Sequence, residues 1–304
     1  MAFTVKDVQA LREKTGCGMM DCKKALVETD GDMDKAVDFL REKGLASQAK
    51  KAGRIAAEGQ VVALVEGKAG IILEVNAETD FVAGGDPFKE MCQKIAKVTL
   101  EQKPADVDAL LKCTYEGMTV EEIVQELFLK LRENMKIRRF ERVEGNVVSY
   151  IHGGGRIGVL VNFDTTEEAA ATAEFNEMAK DVAMQIAAIN PAYLDQASVP
   201  AEVIEKEKEI MIAQMKEDPK MANKPEQVLE KIVTGKIGKY YKENCLLEQA
   251  FVKDGDMTVA KYIDSVAKKL GADIKMVSYI RYEKGEGIQK REDDFAAEVA
   301  SMVK

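Results

Sequence analysis

One histidine, His152, stands in a chain of 304 residues beside five scattered cysteines, Cys17, Cys22, Cys92, Cys113 and Cys245. A single imidazole rules out a His dyad or a three-His metal site. Cys17 and Cys22 lie close in sequence, but no second Cys or His pair is near to complete a tetrahedral zinc site. An odd, dispersed set in a long chain reads as reduced thiols, not as a disulfide framework. His152-Gly-Gly-Gly155 looks like the oxyanion-hole run of some esterases, yet no G-x-S-x-G nucleophile elbow exists for it to serve. Gly153, Gly155 and Gly158 satisfy G-x-G-x-x-G, but a dinucleotide fingerprint must open a helix, and residues 159–163 read as a strand. Those glycines are better read as the turn of a β-hairpin. Gly67-Lys68 and Gly235-Lys236 lack the Ser or Thr and the glycine spacing of a phosphate loop. No enzyme motif survives, and neither a cofactor nor a metal is expected.

One segment stands apart, Asn76-Ala-Glu-Thr79-Asp80-Phe81-Val82-Ala83, which sets an aromatic beside a carboxylate in a connection after a strand. Phe81 either packs beneath its own loop as a core aromatic or is presented outward, and pattern alone admits both.

The elements that must position these residues follow from periodicity and capping. In the first 44 residues, Thr4 caps a helix supported by Asp7, with Val8 and Leu11 on its apolar face, and Gly16-Cys17-Gly18 breaks it. A second helix over 19–28 sets Met19, Cys22 and Leu26 on one stripe. Asp32 caps a third, with Met33, Ala36 and Leu40, which Gly44 is expected to end. Residues 1–44 thus read as a small docking bundle. Residues 45–57, with Lys50, Lys51 and Arg54 among small residues, read as a flexible or helical linker.

The middle of the chain repeats itself. Gly70-Ile-Ile-Leu-Glu-Val-Asn76 aligns with Gly158-Val-Leu-Val-Asn-Phe-Asp164, an offset of 158 − 70 = 88. Phe88-Lys-Glu-Met91 aligns with Phe175-Asn-Glu-Met178 at 87, and Glu58-Gly59 with Glu144-Gly145 at 86. These landmarks predict two packed strand–turn–strand–helix units and an α+β fold, with subdomains over 58–143 and 144–304. The second copy reads Asp164-Thr-Thr-Glu-Glu-Ala-Ala-Ala where the first has its Asp-Phe pair, a difference that packing does not require. Residues 120–132 read as a helix and 136–143 as a further strand. An antiparallel helical hairpin over about 201–244 follows, with Pro219 and Pro225 at its turn. A helix from Thr258, a strand over 275–282 and a last helix with Phe295, Val299 and Met302 close the chain, the final module spanning about 285–304.

Charge and hydropathy exclude further classes. Lys and Arg number 44 against 53 Asp and Glu, a net charge of −9 that argues against direct nucleic-acid binding. Apolar runs are far shorter than the roughly 20 residues of a membrane span, and Met-Ala-Phe-Thr-Val-Lys lacks the layout of a signal peptide. The expected compartment is the cytoplasm.

Long strings then meet a known family. Leu11-Arg-Glu-Lys-Thr-Gly-Cys-Gly-Met-Met-Asp-Cys-Lys-Lys-Ala-Leu26, Gly70-Ile-Ile-Leu-Glu-Val-Asn76, Thr79-Asp-Phe-Val82, His152-Gly-Gly-Gly-Arg-Ile-Gly158 and Gly285-Glu-Gly-Ile-Gln-Lys290 resemble the translation elongation factor Ts family, in the same order along the chain. The resemblance implies a guanine-nucleotide exchange factor for the GTPase elongation factor Tu, binding its GDP-bound and nucleotide-free forms without covalent chemistry. It implies a UBA-like N-terminal bundle, with Arg12, Met19 and Met20 on its docking face. Met19 also fits the core stripe of its own helix, whereas Met20 sits about 100° round and is expected to face out. By the same resemblance, Thr79, Asp80, Phe81 and Val82 form the element that displaces the partner's Mg²⁺, and His152 matches a contact to the GTPase. The hairpin is a candidate for homodimerisation. Two other readings stay open: a non-catalytic helical adaptor, and a hydrolase built around His152.

Overall fold

A computed structural model describes residues 3–217 and 226–289. Three helices come first, α1 (Val5–Thr15), α2 (Met19–Glu28) and α3 (Met33–Lys51). Thr4 and Asp7 form a reciprocal capping box on α1, and the Asp32 carboxylate caps α3. Val8, Leu11, Cys22, Leu26, Ala36 and Leu40 close a small core, joined from the body by Leu129. Gly44 does not end the third helix. It is a packing position instead: a Cβ there would stand 2.0 Å from Leu129 Cδ2, so glycine lets α3 approach the body closely and run on to Lys51.

The body opens with a hairpin, β1 (Glu58–Glu66) and β2 (Ala69–Ala77). There follow the one-turn α4 (Asp80–Gly84), the long α5 (Asp86–Gln102), α6 (Val107–Lys112), short strands β3 (Thr114–Tyr115) and β4 (Met118–Thr119), and α7 (Val120–Leu131). β5 (Met135–Glu144) returns to the free edge of β2 and completes an antiparallel sheet of order β1-β2-β5. The second unit repeats the plan with β6 (Asn146–His152), β7 (Ile157–Asp164), one-turn α8 (Glu167–Ala170) and α9 (Ala173–Ile189). Then come α10 (Ala201–Glu217), α11 (Glu226–Asn244), β8 (Ala250–Phe251), β9 (Asp254–Thr258) and α12 (Val259–Leu270). β10 (Lys275–Glu283) completes the second sheet, of order β6-β7-β10.

The sequence landmarks fall on matching places. Gly70 to Val75 lie in β2 and Gly158 to Phe163 in β7, while Phe88 and Phe175 are buried near the starts of α5 and α9. Gly59 and Gly145 share φ values of 139° and 138°. The correspondence extends beyond the landmarks legible in the sequence. Met118-Thr119-Val120 and Met257-Thr258-Val259 are 258 − 119 = 139 apart, and Thr119 and Thr258 each cap the helix that follows. The offset grows by 139 − 88 = 51 residues, and α10 and α11 lie between the two matches in the second half of the chain. Their root is tied shut: the Ala192 and Tyr193 N–H groups donate to the Asn244 carbonyl at 3.0 and 3.1 Å, and Leu246 N–H donates to Tyr193 O. Met215, Leu229, Val233 and Ile237 form the apolar seam between the two helices. The turn holding Pro219 and Pro225, and the terminal helix expected around Phe295, lie outside the described residues.

The two sheets meet face to face through Val61, Ile72, Val147, Leu160 and Tyr282. The contact is reciprocal. A Cβ on Gly70 would stand 2.6 Å from Val147 Cγ1, and one on Gly158 would stand 2.4 Å from Val61 Cγ1. Each sheet thus uses one glycine to seat the other's valine.

A second tie joins the units beside this contact, where Glu74 is the register partner of Val61. Glu74 on β2 is 0% exposed and accepts from Gly285 N–H at 2.7 Å, Arg138 Nη1 at 3.0 Å, Arg139 Nε at 2.7 Å and Asn76 Nδ2 at 3.1 Å. Burial alone would raise its pKa, but these donors together hold the carboxyl below the usual carboxylate range. Lys284 pairs with Glu58 at 2.5 Å alongside.

Candidate functional site

The connection after β2 is a single capped turn of helix. Thr79 is extended (φ −123°) and its hydroxyl accepts from Val82 N–H at 3.3 Å, while Asp80 sits in the first turn where the helix dipole favours a carboxylate. Gly85 N–H closes the turn on Val82 O, and Pro87 then opens α5. In one turn the side chains divide by face. Val82 and Ala83 enter the core under β1, and Asp80 and Phe81 are left outside. Phe81 is 87% exposed, the most exposed large apolar side chain among the described residues. The alternative that it packs beneath its own loop is therefore overturned. The Asp80 carboxylate meets no hydrogen-bond or ion-pair partner among the described residues.

Two residues that the sequence reading does not single out hold this turn. The Gln60 side-chain amide donates to Ala83 O at 2.8 Å. Glu133, in the segment between α7 and β5, accepts from both Thr79 N–H (3.1 Å) and Thr79 Oγ1 (2.7 Å). The sequence signal for Glu133 lies in the later half of the repeat, beyond the three landmark pairs.

His152 lies at the tip of the β6–β7 hairpin, exposed, and its Nδ1 meets the Tyr150 hydroxyl at 3.0 Å. Gly153, Gly154 and Gly155 turn the chain at φ 58°, 63° and 96°, three successive left-handed positions that glycine takes at least cost, so the glycine run is a hairpin turn as expected. The Gly155 carbonyl accepts from Val61 N–H at 2.8 Å, and Gly155 packs on Gln60. Gln60 therefore touches both the His152 turn and the Phe81 helix.

On the bundle, Arg12 is exposed near the end of α1 and the two methionines open α2. Met20 is 73% exposed and Met19 39%, so Met19 does not share the buried stripe expected of it, which Cys22 and Leu26 carry. The cysteines lie mostly in the interior. Burial pushes the Cys22 and Cys92 thiols up, and Cys245 to about 11, the opposite of what a nucleophilic thiolate needs.

Residues 78–286 match the family model described as Elongation factor TS. A protein of Clostridium botulinum (strain ATCC 19397 / Type A) named Elongation factor Ts is 50% identical over 305 residues, covering 98% of this chain and 97% of that protein. The chain belongs to the elongation factor Ts family. Its likeness to the family member of Syntrophotalea carbinolica is 49% over 313 residues, with both chains covered completely. To that of Symbiobacterium thermophilum it is 52% over 304 residues, covering 98% of this chain and 97% of the other. Elongation factor Ts is the nucleotide exchange factor for elongation factor Tu in translation elongation, and it is not an enzyme. The hydrolase reading of His152 ends with that membership.

Proposed function

We propose that this chain speeds GDP release from elongation factor Tu by setting Phe81, with Asp80 beside it, against the GTPase's Mg²⁺ and phosphate site. The observation that carries this is the exposed Phe81 on a turn that is itself tightly held. An adaptor has no reason to expose such a ring next to an acid.

The physics is linkage. A GTPase holds its nucleotide through phosphate-loop N–H groups and a Mg²⁺ that demands near-octahedral geometry. A partner loosens that nucleotide only if it binds the distorted arrangement better than the closed one, and nucleotide then weakens the partner by the same factor. Phe81 supplies apolar area that is buried only in the distorted arrangement. Asp80 repels phosphate and competes for the polar groups around the metal without needing to bind it. Thr79 and Val82 support the pair, one as cap and one as core anchor.

In this reading residues 1–44 are a UBA-like docking module, presenting Arg12, Met20 and the edge of Met19 to the GTPase, and His152 is a further contact. The two sheet units, over 58–143 and 144–304, are copies of one ancestral unit, with the α10–α11 hairpin inserted in the second. Exposed Ile210 and Val228 offer that hairpin a second copy of the chain, and sedimentation of the full chain against a hairpin-deleted one is the test. The protein acts in the cytoplasm, and no helix among the described residues is long and apolar enough to cross a membrane. The decisive experiment follows labelled GDP leaving elongation factor Tu with and without this protein; release that is no faster in its presence would overturn the proposal.

A further inference from the structure

Thr79 is held more firmly than a one-turn helix requires. Its hydroxyl accepts from Val82 N–H and donates to Glu133 Oε1, while its own N–H donates to Glu133 Oε2. The carboxylate thereby fixes both the rotamer of the cap and the plane of the peptide entering the Asp80–Phe81 turn. Glu133 is itself held between Arg132, which reaches the N-terminal helices, and Asn134, which bonds the segment just beyond them. The Arg132 carbonyl accepts from Lys51 Nζ at 2.5 Å, and its guanidinium pairs with Asp21 on α2 at 2.7 Å. Asn134 donates from its backbone to Glu78 at 2.6 Å and from its side chain to Arg54 O at 2.9 Å. Residues 132–134 thus form a continuous strut from the docking bundle to the turn bearing Phe81.

The second unit serves as an internal control. At an offset of 139, Leu131, Met135 and Ile137 match Leu270, Ile274 and Met276, so the alignment through this segment is sound. Arg132 (φ 61°) matches Gly271 (φ 62°), and Glu133 matches Ala272. At an offset of 87, Thr79 matches Thr166, which also caps a one-turn helix, while Phe81 matches Glu168. In the second unit the carboxylate that meets the cap comes from the turn itself, Glu168 bonding the Thr166 hydroxyl from the position matching Phe81, and the left-handed position is crossed with glycine. The first unit instead places a glutamate under the cap and tolerates an arginine in a backbone region costly for it. Both departures occur in the copy that exposes the phenylalanine.

We infer that Glu133 is a positioning residue for nucleotide exchange, which holds Thr79 so that Phe81 and Asp80 are presented in one orientation fixed relative to the N-terminal bundle. The inference rests on the reading of Phe81 as the inserting side chain. Its energetic content is pre-organisation: a turn already ordered loses less freedom when it inserts, so more of its contact energy acts on the GTPase.

The test uses the full chain with Glu133→Ala, Glu133→Gln, Phe81→Ala and the Phe81→Ala/Glu133→Ala pair. It reads stimulated release of labelled GDP from elongation factor Tu, and amide hydrogen exchange of residues 79–83 in the free protein. Glu133→Ala should speed amide exchange at Thr79 and Val82 and lower stimulated release about tenfold, the size of one charge-assisted hydrogen bond at the low end of its range. Glu133→Gln, whose carbonyl still accepts from Thr79 N–H, should recover most of both. In the Phe81→Ala background, Glu133→Ala should cost at most about twofold, what remains being the contribution of Asp80, because it acts mainly through Phe81. Should Glu133→Ala melt early, Thr79→Val removes the same hydroxyl bond from the other side and should reproduce the loss. Unchanged release by Glu133→Ala, or a full further loss in the double variant, overturns the inference while leaving Phe81→Ala to judge the parent reading. Undiminished release by Phe81→Ala alone overturns both.

Discussion

The Gln60 side-chain amide donates to Ala83 O at 2.8 Å while the stem of the same side chain packs against Gly155. One residue of β1 thus braces both the helix carrying Phe81 and the turn carrying His152, two surfaces 71 residues apart in sequence (152 − 81 = 71). Gln60→Met keeps the stem and removes the donor. It should lower stability by about 1 kcal/mol in urea unfolding and reduce stimulated GDP release. Release equal to that of the unaltered chain would show that the brace serves packing alone.

Phe81→Ala separates function from stability. An exposed ring packs against little of its own chain, so the urea midpoint should shift by no more than about 0.5 kcal/mol in equivalent stability. Stimulated GDP release from elongation factor Tu should fall markedly, because the ring acts on the GTPase by favouring one of its two states over the other. A core aromatic would instead have cost about 3–5 kcal/mol. Melting curve and release are to be measured on one preparation.

Glu74 makes the body acid-sensitive. Its carboxyl is held below the ordinary value of 4.5, so the folded state binds its proton less readily than the unfolded chain does. The stabilisation is complete above that value and drains away as pH falls below it. Glu74→Gln should lower stability by about 3 kcal/mol at pH 7, since two arginines and a buried N–H lose their anion. It should also flatten the acid limb of the stability–pH curve. A variant as acid-sensitive as the parent would place the effect elsewhere.

Removing the hairpin should leave the body intact. With Ala192 and Tyr193 bonded to Asn244, a short glycine-rich joint replacing residues 196–243 spans ends that already touch. The shortened chain should keep one cooperative thermal transition. Loss of that transition would mean that α10 and α11 belong to the core of the second unit and were not inserted into it.

Much of this architecture was legible because local and long-range signals agreed. Thr4 and Asp32 cap where side-chain chemistry said they should, and the landmark pairs fell on matching strands and on matching helices of the two units. Gly44 misled because a glycine that admits a neighbouring Leu129 looks, in sequence, like one that ends a helix. The face on which Phe81 lies was not readable either. A one-turn helix has no periodicity, and exposure was decided by Val82 and Ala83 filling the space under β1. Glu133 lay hidden for a third reason: its partner Thr79 is 54 residues away, and only the repeat's later half, displaced by the hairpin, gives it a counterpart to differ from.

The environment of Glu74 has a bearing on how the chain is made. Synthesis is vectorial, and the donors to this one carboxylate emerge at very different times. Asn76 follows at once, Arg138 and Arg139 some 64 and 65 residues later, and the Gly285 N–H 211 residues later. Until that last donor leaves the ribosome, water must stand in for one of the carboxylate's four partners, although every strand of the first sheet has long been available. At about 5–20 residues per second the interval lasts on the order of ten seconds or more. The first unit can close its own core early, but the full set of bonds to Glu74 is made only when the second unit delivers Gly285.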